Sequence, residues 1–273
     1  MRRIMASLLV LAAALFSTYA GAQSLPPDIA EIKKSGQLVV AMTSFDNLPF
    51  YGGTADNLQG LDVEIGRRIA AILAVKPVFR RDAATFQDVV EQVRRGEANV
   101  AISKLSITPP RLATVKFSDP YVKLHQGLLV NRLWLSKNDH GRDVADVIRN
   151  LNGSIGYIRN TAYETFAKLN FPHAQYEPRD AWDQVVLDVN SGKIAVAYRD
   201  EFEIKKITLE HPESSITTKS VTLTDSTDYI AAVVDWRSDQ LLQVVNFVIR
   251  NDFANIDVRK LIEMQRQMSG GNK

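Results

Sequence analysis

Apolar residues in this chain fall into two alternating patterns, and the alternation predicts the fold class. Gln37–Met42 is a short apolar run behind Gly36, and Pro77–Arg80 reads as a second strand. Between them Leu61, Ile65, Ile69, Ile72 and Leu73 recur at helical spacing, with Asp62 placed to cap the helix start. Phe86, Val89, Val90 and Val93 form an i, i+3, i+4, i+7 stripe. Thr85, three residues before Asp88, reads as a capping box, and Gly96 supplies the left-handed turn that ends the helix. Strand–helix–strand–helix–strand is the order of a wound α/β sheet.

The same order then returns. Strands are predicted over 154–158, near 175–176 and over 194–198, with helices from Thr161, over 180–189 and from Glu201. Phe86–Ile102 aligns without a gap on Trp182–Tyr198, an offset of 96 residues. Each copy is a helix that closes on a glycine and turns into a short apolar strand, so two lobes on one plan are expected. A strand over 124–130 leads out of the first lobe. Strand material over 221–234, with an acid-rich loop or hinge at 225–228, leads back, and a helix over 239–250 rejoins the first lobe. The expected division is a signal peptide at 1–22, lobe 1 at 26–123 plus 229–273, and lobe 2 at 128–224. Two crossings permit a hinge.

The first residues bear on localisation. Arg2 and Arg3, the apolar run Leu8–Phe16 and Ala20-Gly21-Ala22 read as a cleavable export signal, so the mature chain is expected in a bacterial periplasm. Cleavage removes two of the 33 basic residues and none of the 31 acidic ones, which leaves no net charge and argues against nucleic acid as a partner. With no cysteine, disulfides, thiol nucleophiles and cysteine–metal sites are excluded. The four histidines are scattered without ligand spacing, so neither a metal nor a cofactor is expected. The tail from Ser269 reads as flexible.

Ligands of open α/β sheets bind beyond the carboxyl ends of the strands. After the two repeat strands stand Ser103-Lys104-Leu105-Ser106 and Arg199-Asp200. Hydroxyls, backbone N–H groups and an arginine within Ser103–Arg111 make a carboxylate receptor, because a guanidinium grips a carboxylate with two parallel hydrogen bonds. The alternative is a solvated turn whose Arg111 pairs with a surface acid.

Six segments in order resemble the bacterial extracellular solute-binding proteins of family 3, which serve polar amino acid ABC transporters. They are Leu48-Pro-Phe50, Gly60-Leu-Asp-Val-Glu64, Ser106-Ile-Thr-Pro-Pro-Arg111, Phe117-Ser-Asp-Pro-Tyr121, Asn160-Thr-Ala162 and Arg199-Asp200. The resemblance implies a two-lobed, type II periplasmic binding protein-like α/β fold, with two wound sheets joined by a two-strand hinge. It also implies capture of a small amino acid-like or organic acid ligand for a membrane ABC permease, by a monomer that catalyses nothing. Arg111 would hold the ligand carboxylate with Ser106 and the N–H groups of Thr161 and Ala162. Asp200 would take its ammonium, and Phe86 would offer a ring face. Ser103, Lys104, Arg199, Ser44 and Asn47 complete the candidate set. Three residues depart from the family pattern: Asn47 replaces an aromatic, Lys104 a glycine or serine, and Asn160 the turn glycine.

Two other uses of the fold stay open. One is a helper of a periplasmic dehydrogenase system, and the other a cleft enzyme such as a dehydratase, with Lys104 and Asp200 as an acid–base pair. A charge count at the strand ends, three cations (Lys104, Arg111, Arg199) against Asp200, predicts a ligand with a second acidic group unless Lys104 and Arg199 point away from the cleft or Asp46 neutralises one of them.

Overall fold

The computed structural model describes residues 25–254 and 256–270. The expected export signal at 1–22 lies outside them. Among the described residues the strands are β1 (Gln37–Thr43), β2 (Lys76–Ala83), β3 (Val100–Ala101), β4 (Lys116–Phe117), β5 (Val122–Asn131), β6 (Ser154–Ile158), β7 (Gln175–Arg179), β8 (Val196–Asp200), β9 (Thr218–Ile230) and β10 (Val233–Val234). Helices α1 (Pro27–Ser35), α2 (Leu61–Ile72), α3 (Phe86–Arg94) and α4 (Pro109–Leu112) precede β5. Then come α5 (Arg132–Asn138), α6 (Val144–Arg149), α7 (Ala162–Asn170), α8 (Trp182–Asn190), α9 (Glu201–Glu210), α10 (Asp239–Asp252) and α11 (Val258–Gly270).

The strands form two five-stranded sheets in matching order, β2-β1-β3-β10-β4 and β7-β6-β8-β5-β9. In each, the first three strands run parallel and the next is antiparallel, so the internal repeat extends to whole sheets. The repeat helices do equivalent work. α3 buries Val89, Val90 and Val93 against Ala41, Ala101 and Val233, and α8 buries Val185 and Val189 against Leu129, Ile194 and Ala197. Each such valine contributes roughly 1.5–3 kcal/mol by leaving water. α10 returns to the first sheet through Leu241, Val245 and Val248, as its position in the sequence predicts.

β5 and β9 pair antiparallel from Val122↔Ile230 to Asn131↔Thr218 and carry the chain between the lobes. The first-lobe loop grips the end of β9, with Ala231 N–H donating to Leu105 O and Ile107 N–H to Tyr229 O.

Three local expectations are corrected. Residues 225–228 lie inside β9 and are not a separate loop. The register there jumps from His125↔Thr227 to Gln126↔Leu223, so Thr224–Ser226 bulge out of the ladder and Asp228 turns inward, 1% exposed. Asp62 does not cap α2, whose N-cap is Gly60. Its carboxylate is fully buried and accepts the Lys104 amide N–H at 2.8 Å. Ser269 and Gly270 close α11 and so are not a loose tail, while 271–273 fall outside the described residues.

Candidate functional site

The loop after β3 is held in place by its backbone. Lys104 adopts φ +48°, the left-handed region that side chains disfavour, and the bond to Asp62 fixes its amide. The chain then reaches Ser106, bridged to Ile230 of the hinge strand, and the one-turn α4, which begins on Pro109 and carries Arg111 inward. From the second lobe come the start of α7, the end of β8 and the start of α9. Asn160 also takes the left-handed region, at φ +57°, which asparagine tolerates.

Between the two sheets these elements enclose a cavity of about 30 Å³, lined by Phe86, Lys104, Ser106, Arg111, Thr161, Ala162, Arg199 and Asp200. Eight of the eleven residues expected from the sequence therefore converge. Tyr163, Tyr198, Asp228, Ile158 and Ile230 complete the lining. A larger chamber of about 720 Å³ shares Phe86, Ile158, Thr161 and Arg199 with it and adds Phe45, Asn47, Leu48 and Trp182.

Three expected residues stand elsewhere. Asn47 belongs to the outer chamber. Ser103 is fully buried inside the first lobe, where its hydroxyl accepts the Thr43 N–H and donates to Tyr51. Ser44 is exposed, its N–H donating to Ala83 O of the neighbouring strand, and lines neither cavity.

Arg111 is 6% exposed, yet its guanidinium has one hydrogen bond, Nη1 to Ser106 O at 3.0 Å. Among the described residues no carboxylate comes within 4.0 Å of it, which removes the solvated-turn reading. Burial pulls its pKa down to about 10, and nearby Asp228 opposes the shift. The first-turn N–H groups of Thr161 and Ala162 have no intrahelical acceptor. The Thr161 hydroxyl turns back to donate to Ile158 O at 2.7 Å, so it leaves this helix start uncapped.

Asp228 accepts from Ser106 Oγ at 3.1 Å and Tyr163 OH at 2.9 Å through one oxygen, while Oδ1 is buried without a partner. Burial first, then repulsion from Asp200, raises its carboxyl to about 6. Lys104 crosses between the lobes, with Nζ 2.7 Å from Glu203 Oε1 and 3.0 Å from Asp200 Oδ2. Asp200 also caps α9 by accepting the Glu203 N–H at 3.1 Å. Burial opposes ionisation of Glu203, but Lys104 and Arg199 outweigh it and hold the carboxyl below the usual carboxylate range.

The charge count from the sequence is thus corrected. Glu203 and Asp228 join Asp200 against Lys104, Arg111 and Arg199, three acids to three cations. Asp46 pairs with Arg81 at 2.7 Å and neutralises neither Lys104 nor Arg199. The case for a second acidic group on the ligand falls with the count. Glu203 sits at the capping position three residues after Asp200, a signal the sequence offered. Asp228 was hidden because the bulge that aims it inward has no sequence signature of its own.

Two wound lobes joined by paired strands, closing on a buried arginine, define a type II periplasmic binding protein-like architecture. The chain belongs to the bacterial extracellular solute-binding proteins, family 3, whose model matches residues 38–261. It is 22% identical over 171 residues to ABC transporter arginine-binding protein 1 of Escherichia coli (strain K12), an alignment covering 62% of this chain and 65% of that one. Its fold is similar to that of an amino acid ABC transporter substrate-binding protein, AbpA, from Streptococcus pneumoniae bound to L-arginine. There the TM-score is 0.68 at 24% identity, over 88% of this chain and 98% of that one. It is also similar to the ancestral amino acid-binding protein AncCDT-1, a precursor of cyclohexadienyl dehydratase, with a TM-score of 0.65 at 22% identity, over 87% and 98%.

Proposed function

We propose that this chain is the solute-capturing component of an ABC importer. Exported to the periplasm, it takes a small amino acid-like or carboxylate solute between its lobes and hands it to a membrane permease as a monomer, without catalysing a reaction. The observation that carries this reading is Arg111, a buried cation without a carboxylate partner among the described residues, in one cavity with the uncapped start of α7. Orphan N–H groups and the helix dipole favour an anion there. Amino acid binding by the relatives supports the solute class.

A second reading, an elimination catalyst in the same cleft, draws on the Lys104–Asp200 contact at 3.0 Å and on the likeness to a dehydratase precursor. The pairing of Lys104 with both Asp200 and Glu203 favours holding over proton transfer.

Thermal unfolding of the purified protein against amino acids and small organic acids tests both. A captured solute at 100 times its Kd stabilises the fold by about 2.7 kcal/mol and is recovered unchanged. Conversion of the solute identifies an enzyme, and indifference to the whole panel identifies a helper protein.

A further inference from the structure

The cationic half of an amino acid's binding site is already filled by the protein's own chain. Lys104 Nζ lies 2.7 Å from Glu203, 3.0 Å from Asp200, and 4.9 Å and 5.4 Å from the ring centroids of Phe50 and Phe202. The side chain is 4% exposed, and its ammonium is bracketed by two carboxylates and two ring faces. At its other end the residue is pinned by the Asp62 bond in a backbone conformation that glycine would adopt more readily. A long cationic side chain is thus held where the loop alone would favour a small residue.

We propose that Lys104 is a built-in ammonium, and that the solute held by Arg111 is a carboxylate without an α-ammonium, such as a 2-oxo or 2-hydroxy acid. The inference rests on the solute-capture reading above and names its substrate class.

Asp200 has one oxygen committed to the Glu203 N–H and the other to Lys104. A solute ammonium arriving there meets a second positive charge in a buried site, where like charges repel most strongly. The groups left wanting partners are Arg111, the first N–H groups of α7 and Asp228 Oδ1. The first two take a carboxylate. Asp228, with its carboxyl raised to about 6, can hold a proton and donate it in a hydrogen bond to an oxo or hydroxyl oxygen.

Calorimetry with matched trios decides the matter: L-alanine, pyruvate and L-lactate; L-phenylalanine, phenylpyruvate and phenyllactate; L-glutamate, 2-oxoglutarate and 2-hydroxyglutarate. In at least one trio the oxo or hydroxy acid should bind at least tenfold more tightly than the amino acid. Lys104→Ser should reverse the order by freeing Asp200 and Glu203 for an ammonium. Lys104→Gly, which suits φ +48°, serves if the serine variant does not fold. An amino acid that outbinds its oxo and hydroxy partners on the wild-type protein, for instance by placing its ammonium on Asp228, overturns the inference and leaves solute capture standing. A protein that binds none of the nine compounds also overturns the inference, and solute capture is then decided by the wider thermal-unfolding panel.

Discussion

The two copies of the internal repeat begin alike and end differently. α3 and α8 each close on a glycine in the left-handed region, Gly96 at φ +71° and Gly192 at φ +77°, and each feeds a parallel strand of its own sheet. After β3 the first copy opens into an irregular loop that carries Lys104 and then Arg111. After β8 the second copy passes directly into α9, with Asp200 as its N-cap and Glu203 in its first turn. Acids suit a helix start, where they meet the positive end of the dipole, and a loop leaves side chains free to reach across. One duplicated plan thereby yields opposite charges on the two facing walls. The lesson is that the repeat sets the scaffold, while the residues leaving each strand set the polarity of the cleft.

The contrast is broken most severely at the cationic wall. Arg111→Ala removes the guanidinium and leaves a bound carboxylate buried without its counter-charge, which costs about 3–5 kcal/mol. Affinity for any carboxylate solute should fall at least a hundredfold, at about 1.4 kcal/mol per decade. Calorimetry returning wild-type affinity for this variant would remove Arg111 from the site.

A smaller effect probes the acid that the hinge strand contributes. The carboxyl of Asp228 is raised from 3.8 to about 6 by burial and by Asp200. A raised folded value means that the native state holds this proton more tightly than the unfolded state. Its stabilisation is complete below about pH 4 and is lost as pH rises through about 6, by at most about 3 kcal/mol. Asp228→Asn has no such proton. Relative to wild type, the variant should therefore gain about 2–3 kcal/mol between pH 4 and pH 7.5 in urea unfolding. Glu203, whose depressed carboxyl works in the opposite direction, is present in both proteins and cancels. A difference that stays flat with pH would mean that Asp228 is not held protonated by its surroundings.

Much of this cleft was legible in the sequence, because strand ends are set by hydrophobic periodicity and the repeat located both of them. Lys104, Ser106 and Arg111 follow the first of those ends, and Arg199 and Asp200 are the last two residues of β8, two positions beyond the expected strand end, so chain order alone brings them together. Asp228 lay beyond that logic. Its inward aim depends on three bulged residues in β9, and an acid-rich run carries the same pattern whether it bulges within a strand or loops away from one. Lys104 was visible as a departure from the family pattern, whereas Glu203 showed only as an acid at a helix start, with nothing to mark it as the partner of Lys104. An acid in the first turn of a helix is ordinary, and only the closure of the two lobes turns it into half of a buried ion pair.

The mildest test returns to the starts of the repeat helices. Thr85 and Ala181 occupy the same N-cap position with nearly the same backbone, φ −132° and ψ 162° against φ −133° and ψ 150°. Thr85 accepts the Asp88 N–H at 3.1 Å, and Asp88 accepts the Thr85 N–H at 2.9 Å, a complete capping box. Ala181 has no side chain able to cap, although Gln184 stands at the position that would close the box. Thr85→Ala should destabilise the first lobe by about 1 kcal/mol, and Ala181→Thr, on an exposed residue with room for the added atoms, should stabilise the second by a similar amount. The double variant exchanges the two caps. The two caps start helices of different lobes and share no hydrogen-bond partner, although both line the outer chamber, so the double variant's unfolding free energy should equal that of wild type within about 0.5 kcal/mol. If Ala181→Thr instead leaves stability unchanged, the second helix start is held by its packing under Trp182 and Arg199, and the two copies differ at their beginnings as well as at their ends.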